Sequence, residues 1–307
     1  MKRSPTFLAT GSRHFLAVAE AGSVRGAARR LNVAASAISR QLRLLEEELG
    51  TGLLDRDGHS ITLTPAGEIL LRGLRAAKLG QDEILEQLDG ITGLRRGTLR
   101  IATVESVSVS ILPQILQKFA QRHPGITFSV TVAVADAVTE LVREHRAEVG
   151  FTFNPRRLDG LDVAQKSDLR VGAVLAPGHP LAKARKLTLA QCLEYPLAWP
   201  SEGLSLRAIL DRPLGRKRMT PAFECNSLRL MAALAREGRC IAFQTPIGIE
   251  QELRDGHLKF IPLADKSLAA DQLMILKRRA MQKRPAVTAL LALVAEHLRD
   301  HALVPKL

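Results

Sequence analysis

The sequence predicts an α/β fold in two parts, a small helical domain with a β-hairpin and a larger domain built on a parallel sheet. Three patterns predict it: apolar residues recur at helical spacing over residues 12–49, a heptad pattern runs from Leu70 to Ile91, and strands alternate with helices from Thr98 onward. A chain of 307 residues, 46% of them hydrophobic, has enough apolar material for about two domains with real cores.

Charge and cysteine content narrow the classes of function without choosing one. The net charge of +13 favours nucleic acid, an acidic membrane surface or an anionic small molecule as partner, but residues 1–64 contribute only +3 of it. The three cysteines have no CxxC spacing, so a disulfide framework or a zinc site is not expected and a reducing cytoplasm fits best. The sequence has no signal-peptide pattern and no apolar run of membrane-spanning length, so no membrane partner is expected.

Residues 12–49 predict three helices. A first helix ends near Gly22, Ser23 is a good N-cap for a second, and Asn32 can adopt the left-handed conformation that ends it. The third helix stops at Gly50. Its expected inner face consists of Ile38, Leu42, Leu45 and Leu49.

The second and third of these helices, joined by a tight turn, form a helix-turn-helix pattern. The outer face of the third helix offers Ser36, Ser39, Arg40 and Arg43, and arginine can read guanine O6 and N7 in a major groove. A plain helical hairpin with a solvated face would have the same pattern. The pattern alone therefore leaves both interpretations open.

A small hairpin is predicted after the third helix. Asp57-Gly58 is a strong two-residue turn signal between residues 53–56 and the alternating residues 61–64. His59 lies at the expected tip, where contact with a DNA phosphate and simple solvation are equally good interpretations.

A long helix is predicted from Thr64-Pro65, a capping hydroxyl followed by proline at the first helical position, to about Gly90. Its heptad seam predicts pairing with a second copy of the chain, although packing against its own domain is the alternative. The candidate dimerisation residues are Leu70, Leu74, Ile84 and Leu88.

The larger domain follows from strand–helix alternation, which is typical of a parallel sheet. The expected strands are 99–104, 126–134, 149–153, 170–175, 197–199, 222–225 and 240–244. The expected helices are 110–121, 137–144, 189–194, 204–211, 227–237 and 285–298.

Ligands of open α/β sheets lie beyond the carboxyl ends of the strands. Thr103, Glu105 and Ser106 follow the first strand of the larger domain, and Phe153 and Asn154 end another. Hydroxyl and free N–H groups there suit a carboxylate, whereas Glu105 would oppose an anion, so an amine or hydroxyl on the ligand is also expected. Ordinary loop and capping chemistry is an equally good interpretation of each residue.

The N-terminal motifs resemble those of the LysR-type transcriptional regulator family. The resemblance covers residues 15–23, 27–33, 39–50, 53–56 and 63–68 with almost no gap. More loosely similar positions follow at residues 111–113, 119, 123–124 and 238–246.

The resemblance implies an N-terminal winged helix-turn-helix, a linker helix that pairs two subunits, and an effector-binding domain of two α/β subdomains like those of periplasmic binding proteins. The expected boundaries are 1–64, 65–92 and 93–307, with subdomain I at about 98–160 and 268–307 and subdomain II at about 161–267. By resemblance, Ser39 and Arg40 face the groove and Arg56 contacts phosphate from the wing. Ser201, Asn226 and Thr245 lie where the family's second subdomain lines its cleft.

The sequence departs from the family pattern at four positions. Where Ala34 and Ala35 stand, the family often has a hydroxyl residue and then glutamine, so a cap worth about 1 kcal/mol and an adenine-reading amide are missing. Base reading is then expected to fall on other side chains of the third helix or on DNA shape. Leu54 replaces a common phenylalanine, which is a packing change. Cys240 replaces a usual glycine and is expected to be a small buried residue rather than a redox sensor.

Together these inferences predict a ligand-responsive, sequence-specific DNA-binding regulator that assembles as a homotetramer, a dimer of dimers. Its expected partners are double-stranded DNA and a small-molecule effector, with a carboxylate as one candidate and RNA polymerase as a further candidate partner. The candidate DNA-binding residues are Ser23, Ser36, Ser39, Arg40, Arg43, Arg56, His59 and Thr64. The candidate effector-binding residues are Thr103, Glu105, Ser106, Phe153, Asn154, Ser201, Asn226 and Thr245.

Two alternatives remain at this stage. One is a regulator whose C-terminal domain only oligomerises, and the other is a metabolite-binding enzyme with a helical extension. The sequence has no GxSxG, HExxH, GxxxxGK[ST] or GxGxxG motif and no histidine spacing typical of metal ligands, so no catalytic residue, metal or cofactor is expected.

Overall fold

The computed structural model divides the chain into two compact units, Met1–Ile91 and Thr92–Leu307. The N-terminal unit is helical apart from one hairpin, and the C-terminal unit is mixed α/β. The structure describes residues 7–55, 61–90, 97–215, 219–279 and 284–300.

In its described part, the N-terminal unit folds as a bundle of helices with an antiparallel hairpin. The elements are α1 (Thr10–Ala21), α2 (Val24–Leu31), α3 (Ala35–Leu49), β1 (Leu54–Asp55), β2 (Thr62–Leu63) and α4 (Pro65–Gly90). The predicted helices and hairpin strands are therefore confirmed, and the turn predicted at Asp57-Gly58 lies outside the described residues.

Local signals explain where the short helices begin and end. The Ser23 hydroxyl oxygen accepts a hydrogen bond from the Gly26 N–H at 3.1 Å, which caps α2. Asn32 ends α2 with a φ of 54°, in the left-handed region that asparagine tolerates. In contrast, α3 begins after Ala34 without a side-chain cap, as its missing hydroxyl predicted.

The core of the N-terminal unit lies between α1, α2, α3 and the first half of α4. Ile38, Leu42 and Leu45 of α3 are buried in it, but Leu49 is 48% exposed. The expectation that Leu49 belongs to the inner face was wrong, because the buried stripe of α3 ends at Leu45. The remaining buried helix and hairpin residues of this core include Phe15, Val18, Ala27, Leu53, Leu71 and Leu74.

The start of α4 lies directly against the chain that leads into the hairpin. A Cβ atom at Gly67 would be 2.1 Å from the Leu53 carbonyl oxygen, so only glycine allows this close approach. Gly67 therefore fixes how α4 packs on the hairpin.

The first sheet of the C-terminal unit consists of β3 (Gly97–Thr103), β4 (Ile126–Val132), β5 (Val149–Phe153), β6 (Leu161–Leu169) and β12 (Asp271–Arg278). Its strand order is β4-β3-β5-β12-β6. The helices of the same subdomain are α5 (Glu105–Val109), α6 (Ile111–Arg122), α7 (Ala135–Arg143) and α12 (Pro285–Asp300).

This sheet is mixed, which corrects the prediction of a parallel sheet. Strand β3 runs parallel to β4 and β5, but β12 is antiparallel to both β5 and β6. Neither β6 nor β12 was predicted. Because β6 belongs to the first sheet, the chain leaves this subdomain after Leu169 rather than at the expected residue 161.

The strands of the second subdomain are β7 (Gly172–Leu175), β8 (Ala198–Pro200), β9 (Phe223–Cys225), β10 (Ala242–Gln244) and β11 (Lys259–Pro262). They form an antiparallel sheet in the order β10-β7-β11 and a parallel pair β8-β9. Its α-helices are α8 (Leu189–Cys192), α9 (Ser205–Leu214), α10 (Leu228–Arg236) and α11 (Glu250–Arg254). Within the described ranges, no helix combines the length and the apolarity needed to cross a bilayer.

Candidate functional site

The outer face of α3 presents polar side chains to solvent. Ser36, Ser39, Arg40 and Arg43 are all exposed, on the side of the helix opposite to its buried stripe. Arg43 Nε lies 3.8 Å from a Glu47 carboxylate oxygen, but both side chains are mostly exposed, so this pair costs little to break. The four predicted groove-facing residues are therefore accessible to a partner.

Glu46 ties α3 to the hairpin, a role that the sequence did not reveal. Its Oε1 accepts hydrogen bonds from the N–H groups of Leu53 at 2.8 Å and Leu54 at 3.3 Å. The observed bonds fix the start of β1 relative to α3.

Two candidate DNA-binding hydroxyls act as helix caps. Ser23 uses an oxygen lone pair to cap α2, so its hydroxyl hydrogen can still be donated to a phosphate. Thr64 donates its hydroxyl to the Gly52 carbonyl at 2.7 Å and accepts from the Gly67 N–H at 3.0 Å. Thr64 therefore has no hydrogen left for a phosphate. Arg56 and His59 lie outside the described residues, and their contacts stay predictions.

The candidate dimerisation residues separate into two groups along α4. Leu74 is only 8% exposed and packs in the core of its own unit, with Leu70 partly buried beside it. Their side chains are occupied within one protomer. Ile84 is 47% exposed and available to a partner. Leu88 lies in α4, but its side chain is outside the part that the structure describes.

The C-terminal unit contains a cleft of about 300 Å³ between its two subdomains. Strands β3 and β5 end at this cleft, and the N-termini of α9 and α10 face it from the other side. The lining residues are Val104, Glu105, Ser106, Val132, Ala133, Val134, Ala135, Phe153, Gly203, Leu204, Ser205, Asn226, Ser227, Leu228, Thr245 and Asp271.

The structure brings most of the predicted effector residues to this cleft. Those in its lining are Glu105, Ser106, Phe153, Asn226 and Thr245. Thr103 is fully buried, and neither Thr103 nor Ser201 is part of the lining. Asn154 lines an adjacent depression of about 530 Å³ instead. Sequence reasoning missed Ser205, Ser227 and Asp271.

Glu105 bridges the two subdomains across the cleft. Its Oε1 accepts a hydrogen bond from the Ser227 hydroxyl at 2.9 Å, and its Oε2 accepts from the Arg229 N–H at 3.4 Å. Ser227 is also the N-cap of α10, because its oxygen accepts from the Leu230 N–H at 3.1 Å. The carboxylate thus sits at the positive end of the α10 dipole.

Asp271 is a buried carboxyl group in the lining of the cleft, 3% exposed. Burial raises the pKa of Asp271 from 3.8 to about 7, against smaller opposing effects of hydrogen bonds from Ser205 and Asn154. The Asn154 Nδ2 donates to Asp271 Oδ1 at 2.8 Å, and the Asn154 backbone and side chain both bond Gln272. Asn154, which lines the adjacent depression, therefore helps to position the Asp271 carboxyl group.

The cysteines do not have the surroundings of reactive thiols. Cys192, Cys225 and Cys240 are free and buried. Burial raises the pKa of Cys192 to about 12 and that of Cys240 to about 11, and it also raises the pKa of Cys225. The thiolate is the reactive form of cysteine, and a raised pKa disfavours it. The expectation that Cys240 is a small buried residue is confirmed. In the part of the chain that the structure describes, no group of three His, Cys, Asp or Glu side chains could hold a metal ion.

Comparisons with known proteins agree with this architecture. Residues 12–68 match the model of the bacterial regulatory helix-turn-helix protein, lysR family, and residues 92–299 match the LysR substrate binding domain. The RuBisCO operon transcriptional regulator of Allochromatium vinosum is 30% identical over 208 residues, which are 68% of each chain.

Two solved structures are similar in fold over nearly the whole chain. A full-length OxyR variant from Pseudomonas aeruginosa has a TM-score of 0.72 at 16% identity, and the match covers 98% of this chain and 97% of the OxyR chain. Full-length CbnR complexed with its target DNA has a TM-score of 0.63 at 22% identity, and the match covers 94% of this chain and 98% of the CbnR chain.

A helix-turn-helix with a hairpin wing, a long linking helix and a two-subdomain α/β domain with a cleft define a transcriptional regulator with a binding domain. The family matches then identify the kind of regulator. The chain belongs to the LysR family and is a LysR-type transcriptional regulator. The predicted fold class, an N-terminal winged helix-turn-helix and a periplasmic-binding-protein-like effector domain, is confirmed.

Proposed function

We propose that this chain is a ligand-responsive regulator that reads a specific DNA sequence with α3 and binds a small molecule in the cleft of its C-terminal unit. The observation that carries the DNA-binding half is the exposed polar face of α3 above an apolar inner face. The observation that carries the ligand-binding half is the cleft between the two subdomains, where loops and helix N-termini converge.

In the proposed mechanism α3 lies in the major groove. Arg40 reads guanine O6 and N7 through two N–H donors, with Ser36 and Ser39 donating or accepting beside it. Arg43 and the Ser23 hydroxyl contact the backbone, and Arg56 and His59 do so from the wing. DNA shape supplies part of the specificity, because no asparagine or glutamine stands at the start of α3 to read adenine.

Assembly of several copies is part of the proposal. The exposed Ile84 side chain and the heptad pattern through Leu88 support pairing of α4 with a second copy. Two paired heads then read two half-sites related by two-fold symmetry, and two such dimers form a tetramer. The assembled regulator works in the cytoplasm, where its DNA lies and where it can meet RNA polymerase.

The cleft supports ligand control over the alternative that the C-terminal unit only oligomerises. Glu105, Ser106, Asn226 and Thr245 contribute polar groups to a cavity whose remaining walls are mostly apolar, which is typical of small-molecule sites. A ligand that binds one degree of subdomain closure better than another shifts the population toward it. In this way ligand binding in the cleft alters DNA binding by the assembled protein.

A binding selection from random duplex DNA tests the DNA-binding half. The purified full-length chain should enrich a sequence with two-fold symmetry. Arg40→Ala should weaken binding to that sequence by about 1–3 kcal/mol per half-site, because the guanine contact is lost. Arg239→Ala removes the same charge from an exposed position in the C-terminal unit and should leave the affinity unchanged. Equal affinities of wild type and Arg40→Ala would refute the assignment.

A further inference from the structure

The lining of the cleft contains acidic groups and, among its described residues, no basic side chain. Glu105 and Asp271 contribute two carboxyl groups, and among the lining residues that the structure describes there is no lysine, arginine or histidine. A carboxylate ligand would therefore enter a partly apolar site that holds two acidic groups. Burial of an anion in such surroundings is costly unless a donor or a cation compensates it.

One helix N-terminus at the cleft that could compensate an anion is already used. The N-terminus of α10, a helix of nine residues, is where backbone N–H groups and the helix dipole favour negative charge. Glu105 occupies that position through its bonds to the Ser227 hydroxyl and the Arg229 N–H. An acidic ligand at this helix end would have to displace Glu105 and then lie beside it.

Asp271 can accept hydrogen bonds from a ligand, and no basic side chain among the described lining residues pairs with it. The ionised form of the Asp271 carboxyl group has about four acceptor sites, and Asn154 and Ser205 fill two of them, so some remain for a ligand. An ammonium group has three donors and no acceptor, which matches what Glu105 and Asp271 leave open. Charge-assisted hydrogen bonds of this kind are among the stronger ones.

The other lining residues set the size and polarity of the ligand body. Six large apolar side chains line the same cleft as the two acids: Val104, Val132, Val134, Phe153, Leu204 and Leu228. A cleft of about 300 Å³ is roughly twice the volume of an apolar cavity that holds benzene, about 150 Å³. The body is therefore compact, with on the order of ten non-hydrogen atoms.

We propose that the cleft recognises an amine, a compact apolar molecule whose ammonium group lies between Glu105 and Asp271, and that it rejects carboxylates. This inference rests on the proposed function, since it names the class of effector for that same cleft. It departs from the expectation that the effector is a carboxylate.

A panel of matched compounds tests the proposal with the purified full-length chain. Each apolar body, cyclohexyl, phenyl or phenylethyl, is presented as an amine, a carboxylate and an alcohol, and binding is measured by calorimetry. At least one amine should bind with a Kd of about 1 mM or tighter, which is attainable for about ten atoms. The carboxylate with the same body should bind at least about tenfold more weakly, because it lacks the charge-assisted bonds. Carboxylate binding equal to or tighter than amine binding, or no amine binding at all, overturns the proposal.

Variants of the two acids show whether the amine uses the proposed site. Asp271→Asn should weaken the amine about tenfold or more without affecting the alcohol, because one charge-assisted bond is lost. Glu105→Ala should do the same and should also let carboxylates bind, since the α10 N-terminus is vacated. Asp159→Asn, an exposed acid in the turn before β6, is the matched control and should change nothing. Amine affinity that is unaffected by both cleft substitutions overturns the proposal.

Failure of the amine inference and failure of the proposed function are distinguishable. If the DNA selection succeeds and the panel favours carboxylates, only the amine inference is wrong. If amines bind at Glu105 and Asp271 but no DNA sequence is enriched, only the DNA-binding half of the proposed function is wrong.

Discussion

Glu105 and Asp271 are carboxyl groups of one cleft with different surroundings. Glu105 is half-buried and bonds the start of α10 from the opposite subdomain. Asp271 is buried at the start of β12, and the loss of water around it raises its pKa to about 7. One acid thus joins the subdomains, while the protonation of the other changes near neutral pH.

The raised pKa of Asp271 predicts a pH-dependent contribution to stability. The folded protein binds this proton more tightly than the unfolded chain, whose pKa stays near 3.8, so the stabilisation is complete below about pH 4 and is lost as the pH rises through about 7. The asparagine side chain in Asp271→Asn does not titrate. The free energy of unfolding of wild type minus that of Asp271→Asn should therefore fall with rising pH, by at most about 1.4 kcal/mol per unit.

Urea unfolding at several values between about pH 4 and 8 measures this difference. Asp159→Asn replaces an exposed carboxyl in the turn before β6 and is the control, for which no such pH-dependent difference is expected. A difference between wild type and Asp271→Asn that is constant over the range would contradict the buried, proton-binding role of Asp271.

At the scale of elements, two glycines of α4 have opposite surroundings. Gly67→Ala should destabilise the N-terminal unit by about 1–3 kcal/mol or more, because its Cβ would lie 2.1 Å from the Leu53 carbonyl oxygen. Gly73→Ala has nothing within 4 Å of the new atom and should stabilise the helix by about 0.5–1 kcal/mol. Thermal unfolding of both variants measures the shifts, and equal shifts would show that the close approach at Gly67 is absent.

The elements that the sequence revealed are those whose signals are local. Ser23, Asn32 and the Thr64-Pro65 start of α4 mark helix ends by side-chain chemistry, and the structure has helix ends there. Strands β6 and β12 were missed because their pairing joins residues more than 100 positions apart, such as Leu161 and Arg278. No local pattern encodes such a partner, and β6 alternates as an edge strand with few β-branched residues.

The same limit explains what was missed in the cleft. Glu105, Ser106 and Phe153 could be predicted because they end strands that periodicity revealed. Asp271 was missed because its strand was missed, although an acid next to an apolar run was a usable signal. Ser227 was expected only at the start of a helix, since its bond to Glu105 crosses between subdomains.

At the scale of the whole molecule, we predict assembly through the second half of α4. Ile84→Glu should dissociate the assembly, because it places a charge on an exposed apolar side chain of the proposed seam. Ile69→Glu adds the same charge at an exposed position of α4 outside the heptad seam and should leave the assembly intact. Sedimentation measures both, and an unchanged mass for Ile84→Glu would contradict pairing through this seam.

A substitution at Leu74 should affect folding rather than assembly alone. Its side chain lies in the core of the N-terminal unit, so Leu74→Glu should unfold that unit rather than simply split a folded dimer. Loss of helical circular dichroism would accompany any change in mass for this variant. A fully folded Leu74→Glu monomer would contradict the placement of Leu74 in the core.

The most direct test of ligand-controlled DNA binding is a footprint of the full-length protein on its selected site, with and without a compound shown to bind the cleft. We predict protection over two half-sites, lost in Arg40→Ala, whose extent or affinity changes when the compound is added. The same compound should have no effect on the footprint of Asp271→Asn at concentrations that this variant does not bind. A footprint that stays unchanged while the compound saturates the wild-type cleft would contradict ligand control of DNA binding.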